Sequence, residues 1–215
     1  TDRQGNSAAI EYIKGKVVVH SGDSLPVPAL CNSIYSYEVK RLRKYEGFGG
    51  SIPVKVDDTK IPRFVHAAYM LKNYKKSLSK PAVDYGFDIL KLLHQGRSNS
   101  WNNKWSIMVD VKNLTVYFNT YRNREIRYFS LTSFDLSCDT PVKLLDIHTA
   151  GAGDVTKQFV DYSYESNLAF AKRYEDALTA CFKNYTADLA KLGLTPRRAA
   201  EKFAKYPERT RCKRK

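Results

Sequence analysis

Residues 6–32 read NSAAIEYIKGKVVVHSGDSLPVPALCN, and this stretch decides the fold of the N-terminal part of the chain. Apolar and polar side chains alternate over Ala8–Ile13 and again over Lys16–His20, which predicts two β-strands. Lys14-Gly15 forms the two-residue connection that an antiparallel hairpin requires. A loop with two prolines follows, and the segment that ends at Asn32 is predicted as a third strand presenting a side-chain amide at its end.

Asn32 supports two chemical interpretations. Asparagine is a favoured residue at the start of a helix, where its side chain caps free backbone N–H groups, and the local sequence taken alone favours this interpretation. A side-chain amide can also donate its N–H to the oxyanion of a tetrahedral intermediate, which stabilises that intermediate by about 3 kcal/mol.

The hairpin and the Asn32 segment together resemble the choloylglycine hydrolase and penicillin V acylase family of linear amide C-N hydrolases. In that family a Ser-Ala-Ile-Ile-Glu-Tyr hairpin with a Gly-Lys turn leads to a Thr-Asn-Ser-Pro motif whose asparagine is catalytic. Asn32 stands at the asparagine position, whereas Cys31 and Ile34 replace the usual threonine and proline. The resemblance extends from Asp2 to Leu178 and implies a catalytic, oxyanion-stabilising role for Asn32.

A second segment of the same resemblance is Pro62-Arg63-Phe64-Val65, which is similar to the family's Ser-Arg-Phe-Val. The resemblance implies that Arg63 lies beside the nucleophile, where a permanent cation lowers the pKa of a thiol. It also predicts that Arg63 and Asn32 face one cleft. His66 lies about one helical turn further on and is interpreted as a structural histidine.

The family's nucleophile is an N-terminal cysteine, and the resemblance places it upstream of Thr1. We therefore expect these residues to be the C-terminal portion of an amidase whose nucleophile is on an upstream segment or subunit, and we expect this chain alone to be inactive. Thr1 and Cys31 are two other candidate nucleophiles, and the sequence argues against both. Thr1 resembles a position well downstream of the nucleophile, and strand alternation turns Cys31 away from the face that carries Asn32.

Blocks of strands and helices succeed each other along the chain, which predicts an α+β fold. Helices are predicted from Ile34 to Leu42, from Pro62 as a first-turn proline, from Pro81 to an end at Gly96, from Gln158 to Leu192 in one or two pieces and from Arg197 to Lys205. Three strands between Ser106 and Leu131 form a meander. The resemblance makes the fold more specific, an incomplete α-β-β-α sandwich of N-terminal-nucleophile hydrolase type. Residues 1–192 are assigned to the hydrolase domain and residues 193–215 to a basic helical tail.

The formal net charge of +14 raises nucleic acid as a partner, but its distribution argues against that partner. Residues 193–215 carry nine Lys or Arg against two Glu, which is half of the excess, and no nucleic-acid-binding motif accompanies them. A solvated basic tail explains this excess. Strand edges that the upstream segment would cover favour association, so a homo-oligomer is also expected.

Composition and spacing exclude several other classes of protein. The chain has 43% apolar residues, which is typical of a folded domain, but no apolar run near the ~18 residues of a membrane span. The four cysteines lack zinc-site spacing, so no metal or cofactor is predicted. They fit small buried residues, with a disulfide as the alternative. The compartment is left open between bacterial cytoplasm and periplasm.

The expected function is hydrolysis of a linear or N-acyl amide, of the conjugated bile salt or penicillin V type, through a cysteine thioester. This expectation rests on the resemblance. Two alternatives stay open at this point. One is an acyltransferase of the same fold, in which an amine resolves the thioester, and the other is a non-catalytic basic binding module.

Overall fold

A computed structural model describes residues 1–75, 81–93 and 103–209. The chain divides into a first unit, Thr1–Leu131 with Ala150–Asp154, and a second unit, Thr132–Thr149 with Val155–Lys215. The described strands and helices are, in chain order, β1 (Ala8–Ile13), β2 (Lys16–Ser21), α1 (Tyr35–Leu42), α2 (Arg63–Asn73), α3 (Ala82–Leu92), β3 (Trp105–Asp110), β4 (Thr115–Thr120), β5 (Arg127–Ser130), β6 (Lys143–Leu144), β7 (Gly153–Asp154), β8 (Val160–Asp161), α4 (Tyr164–Cys181), α5 (Tyr185–Lys191), α6 (Pro196–Ala204) and α7 (Tyr206–Arg209). The α+β class is as predicted.

The first two strands form the predicted hairpin. β1 and β2 are antiparallel, with Ala8 opposite Ser21 and Ile13 opposite Lys16. Lys14 and Gly15 have φ angles of 48° and 79°. Two consecutive positive φ angles are the backbone geometry of a tight hairpin turn whose twist matches that of the flanking strands, and glycine adopts this geometry without strain.

The predicted meander is also present in the first unit. β3 pairs antiparallel with β4, and β4 pairs antiparallel with β5. β7 adds to the edge of this sheet in parallel with β5, so that the four-stranded order is β3-β4-β5-β7. Arg127 on β5 is fully buried, and its guanidinium lies 4.6 Å from the centroid of the Phe118 ring. This stacking gives the buried cation a favourable contact.

The apolar core beside the hairpin combines side chains from five parts of the first unit. Its buried members are Ala9, Val27, Tyr35, Leu42, Ile61, Phe64, Val65 and Ala68. The helix predicted at Pro62 is present as α2, but Pro62 is its N-cap residue and not part of its first turn, because its ψ of 140° is extended. The predicted end of α3 at Gly96 lies outside the described residues.

Two predictions in this region were wrong. Residues 29–32 form a loop and not a third strand. Pro26 and Pro28 have no N–H to donate, and the backbone groups of Val27 bond to a tyrosine side chain and not to a neighbouring strand. Helix α1 was expected to be exposed, but Tyr35, Glu38 and Leu42 are buried on one of its faces.

The second unit contains the helical end of the chain. α4 packs on α6 through the small buried residues Ala171, Ala200 and Ala204. The prediction of a helix from Gln158 was wrong at its start. Val160–Asp161 pairs as a strand with β6, and α4 begins at Tyr164, where the Ser163 hydroxyl accepts a hydrogen bond from the Ser166 N–H. The helix predicted at residues 197–205 is confirmed as α6.

The described cysteines are in three different states. Cys31 is half-buried and free, Cys181 is exposed and free, and Cys138 is disulfide-bonded. The disulfide is the alternative that the cysteine spacing left open. None of the helices in the described ranges is long and apolar enough to cross a bilayer.

Candidate active site

Asn32 lies on the loop between β2 and α1, and its side chain is exposed. The N-cap residue of α1 is Ile34, and Asn32 does not cap this end of the helix. Asn32 also makes no hydrogen bond with any other residue that the structure describes. The helix-capping interpretation of Asn32 is therefore wrong, and its amide keeps both donor hydrogens for a ligand.

The side chain of Tyr35, at the end of this loop, bonds to Val27 at its start. The Tyr35 hydroxyl donates a hydrogen bond to the Val27 carbonyl oxygen at 2.8 Å and accepts one from the Val27 N–H at 3.2 Å. Tyr35 is 1% exposed and Val27 is also buried. The Ala29 N–H donates to the same carbonyl oxygen at 2.9 Å. Residues 27–35 consequently form a short loop with fixed ends, and Asn32 lies within it.

The hairpin supplies the group that binds the first N–H of α1. One carboxylate oxygen of Glu11, Oε1, accepts a hydrogen bond from the Tyr35 N–H at 2.9 Å. The other oxygen, Oε2, lies 3.3 Å from Nε2 of His20, and these side chains are 12% and 17% exposed respectively. The His20 ring packs on the Tyr35 ring at a centroid distance of 4.7 Å. A carboxylate at a helix N-terminus is also favoured by the helix dipole.

Arg63 is the first residue of α2 and is half-buried. Its guanidinium has no ion pair or hydrogen bond with the described residues. The next residue, Phe64, packs edge to face on Tyr35 with ring centroids 5.8 Å apart. The ring contact therefore connects α1, which follows the Asn32 loop, to α2, which begins at Arg63. That their side chains face the same cleft stays a prediction.

The other candidate residues from the sequence are His66, Thr1 and Cys31. His66 is buried on α2, and its Nε2 lies 3.2 Å from the Lys55 carbonyl oxygen, which agrees with a structural histidine. Thr1 is exposed, and its hydroxyl is 2.8 Å from the Ser7 hydroxyl. Strand alternation does not turn Cys31 away from Asn32, because this segment is a loop and not the predicted strand.

Two surface grooves open on the first unit beside this loop. The larger has a volume of about 580 Å³ and is mostly apolar, with Val27, Leu42, Phe48 and Leu71 in its walls. The smaller, of about 380 Å³, mixes apolar and polar side chains and includes His20. Neither Asn32 nor Arg63 lines either groove. Within the described ranges, no group of three His, Cys, Asp or Glu side chains could hold a metal ion.

The sequence prediction missed the residues that hold the Asn32 loop. No role was predicted for Glu11, His20 or Tyr35. One signal was available, because the two-residue turn at Lys14-Gly15 puts Glu11 opposite Val18 and therefore sets His20 diagonally across from Glu11 on the same face of the hairpin. Nothing in the local sequence pointed to the bond between Tyr35 and Val27.

Comparison with solved structures defines the fold. Penicillin V acylase from Agrobacterium tumefaciens superposes with a TM-score of 0.62 and 22% identity over 74% of this chain and 54% of that one. A mutant of conjugated bile acid hydrolase from Clostridium perfringens gives 0.46 and 21% over 62% and 49%. The first likeness shows the fold of an N-terminal-nucleophile hydrolase, as predicted. The chain spans about half the length of these structures.

The family follows from the sequence match. The model of linear amide C-N hydrolases, choloylglycine hydrolase family, matches residues 1–144, which include both Asn32 and Arg63. The chain belongs to this family. A search of curated proteins finds no significant match. The family match ends before Leu178, to which the resemblance was expected to extend.

Proposed function

We propose that this chain forms part of an amidase that hydrolyses a linear or N-acyl amide through a cysteine thioester. The observation that carries the proposal is the family match over residues 1–144, which includes Asn32. The Asn32 side-chain amide makes no hydrogen bond with the described residues and can therefore bind a ligand. The nucleophilic cysteine and the amine that serves as its base belong to a segment upstream of Thr1 in this proposal. That segment and these 215 residues together constitute the nucleophile-bearing enzyme.

In the proposed reaction the cysteine thiolate attacks the carbonyl carbon of the amide, and the carbonyl oxygen becomes an oxyanion. Asn32 donates an N–H to this oxyanion, which lowers the barrier because the bond strengthens as charge develops. Arg63 keeps the thiol ionised as a nearby cation. The C–N bond then breaks, the amine leaves with a proton, and water hydrolyses the thioester to release the carboxylic acid and the thiol.

The proposed substrates are conjugated bile salts or penicillin V, because the structurally similar proteins are a penicillin V acylase and a conjugated bile acid hydrolase. Both are anions at neutral pH, and the net charge of +14 would favour their approach. The test is to incubate the nucleophile-bearing enzyme with taurocholate, glycocholate and penicillin V and to measure the amine released. A folded enzyme that releases amine from none of these, nor from a wider panel of acyl amides, would favour a binding module.

Acyl transfer is the second candidate, because a thioester can be resolved by an amine as well as by water. Adding a primary amine to the same assay separates the two reactions. A hydrolase forms mainly the free acid, whereas a transferase forms mainly the new amide. The chain alone, without the nucleophile, is expected to give neither product.

A further inference from the structure

The loop that carries Asn32 is mostly exposed and has no regular secondary structure to hold it in place. Asn32 and Ser33 are exposed, Leu30 is largely exposed, and residues 29–32 belong to no strand or helix. A donor that stabilises an oxyanion must already be in position when charge develops, because reorientation during the reaction would cancel the gain. The position of Asn32 must therefore come from the groups that fix the two ends of the loop.

Those groups are Tyr35 and Glu11. The Tyr35 side chain joins the two ends of the loop through its two hydrogen bonds to Val27. Glu11, 24 residues away in sequence on the hairpin, accepts a hydrogen bond from the Tyr35 N–H at the end of the loop. The other oxygen of this half-buried carboxylate lies 3.3 Å from Nε2 of His20. The phenol ring itself is held in the core by Phe64. All of these contacts lie in the first unit.

We propose that Tyr35 and Glu11 are positioning residues that hold Asn32 at the oxyanion. They act through the loop backbone and do not touch the substrate. This proposal rests on the proposed amidase function for its catalytic consequence. Its structural part, that the two side chains order the loop, stands on the hydrogen bonds alone.

The first test compares two substitutions of the same kind in the nucleophile-bearing enzyme. Tyr35→Phe keeps the ring and removes only the hydroxyl that joins Val27. Tyr85→Phe is the matched control, because the Tyr85 hydroxyl also donates to a backbone carbonyl in the first unit, that of Met70 at 2.7 Å. We expect Tyr35→Phe to lower kcat by roughly tenfold to a hundredfold with little change in KM, and Tyr85→Phe to change neither.

The second test uses rescue at Glu11. Glu11→Ala removes the acceptor for the Tyr35 N–H, whereas Glu11→Gln keeps an oxygen that can accept it. We expect Glu11→Ala to lower kcat by roughly tenfold or more and Glu11→Gln to restore most of that loss. Equal losses in both variants would overturn the positioning role, because the charge and not the hydrogen bond would then matter.

Amide hydrogen exchange of the 215-residue chain separates this proposal from the amidase function. In Tyr35→Phe, exchange at the Ala29 and Tyr35 amides should accelerate by roughly fivefold to tenfold, the factor that loss of one hydrogen bond gives, and not in Tyr85→Phe. Unchanged exchange overturns the proposal whether or not the enzyme is active. Accelerated exchange with unchanged kcat in an active enzyme also overturns it, as does global unfolding of Tyr35→Phe.

Discussion

The rings of Tyr35 and Phe64 meet edge to face, with centroids 5.8 Å apart and an interplanar angle of 79°. Tyr35 begins α1 three residues after Asn32, and Phe64 follows Arg63 directly. The contact therefore joins the start of α1, next to the Asn32 loop, to the start of α2, which carries Arg63. Edge-to-face aromatic pairs have a preferred geometry, so this contact restricts the relative positions of the two segments more than a contact between aliphatic side chains would.

Replacing Asn32 tests the oxyanion assignment. In the nucleophile-bearing enzyme, Asn32→Ala should lower kcat by roughly a hundredfold or more and change KM much less, because the lost bond forms mainly in the transition state. Asn73→Ala is a control, since Asn73 is an exposed asparagine that bonds the Tyr69 carbonyl oxygen on α2. Comparable kinetics for wild type and Asn32→Ala would show that another group stabilises the oxyanion.

The proposed role of Arg63 can be tested through the pH dependence of the nucleophile. A cation near a thiol lowers its pKa, so Arg63→Gln should shift the plot of cysteine alkylation rate against pH to higher pH by roughly one unit. Arg63→Lys keeps the charge and should retain most of the effect. Arg124→Gln, at an exposed position between β4 and β5, should leave the plot in place. An unshifted Arg63→Gln profile would remove Arg63 from the site.

Gly50 tests the loop that connects α1 to α2. A Cβ at this position would collide with the backbone of Lys44, which cannot move freely because the Lys44 carbonyl oxygen accepts a hydrogen bond from the Ile52 N–H. Gly50→Ala should lower the free energy of unfolding by roughly 3 kcal/mol in urea titrations.

A suitable comparison is Gly86→Ala on α3, where the added methyl group meets only the flexible end of the Met108 side chain. The Met108 side chain can change rotamer, so Gly86→Ala should lower the free energy of unfolding less than Gly50→Ala. If both variants lose the same amount, the close approach of Gly50 to Lys44 is not a constraint on the fold.

Tyr185 makes the second unit sensitive to high pH. Burial first, and then the hydrogen bond to Glu175 at 2.6 Å, raise the pKa of Tyr185 from 10.0 to about 12. A phenol whose pKa is higher in the folded state stabilises that state below its unfolded pKa. This contribution should be fully present below about pH 10 and should be lost as the pH rises through about 12.

Spectrophotometric titration of tyrosinate checks this prediction directly. The wild-type chain should show a phenol that ionises near pH 12, and Tyr185→Phe should lack it. The unfolding free energy of Tyr185→Phe should also fall less between about pH 10 and 12. Tyr206→Phe, at an exposed position of the same unit, should behave as wild type. Identical titrations of wild type and Tyr185→Phe would refute the assignment.

The sequence by itself determined the elements whose signals are local. The Lys14-Gly15 turn sets the register of β1 and β2, and alternation sets β3 and β4, because a period of two leaves only one face for the core. Pro62 marks the start of α2, and Thr195-Pro196 that of α6, since a capping hydroxyl and a proline act within one turn. The family was also recognisable from short motifs.

Only the tertiary structure decided how the Asn32 segment is held. Residues 29–32 were predicted as a strand because local propensity cannot show which partner will bond a backbone group. Here the Val27 groups bond Tyr35, and the Tyr35 N–H bonds Glu11 across 24 residues of sequence. The burial of Tyr35, Glu38 and Leu42 on one face of α1 was likewise not predicted. Such contacts depend on which distant groups are brought together as the core forms, and a buried backbone N–H or carbonyl must then find a partner among them.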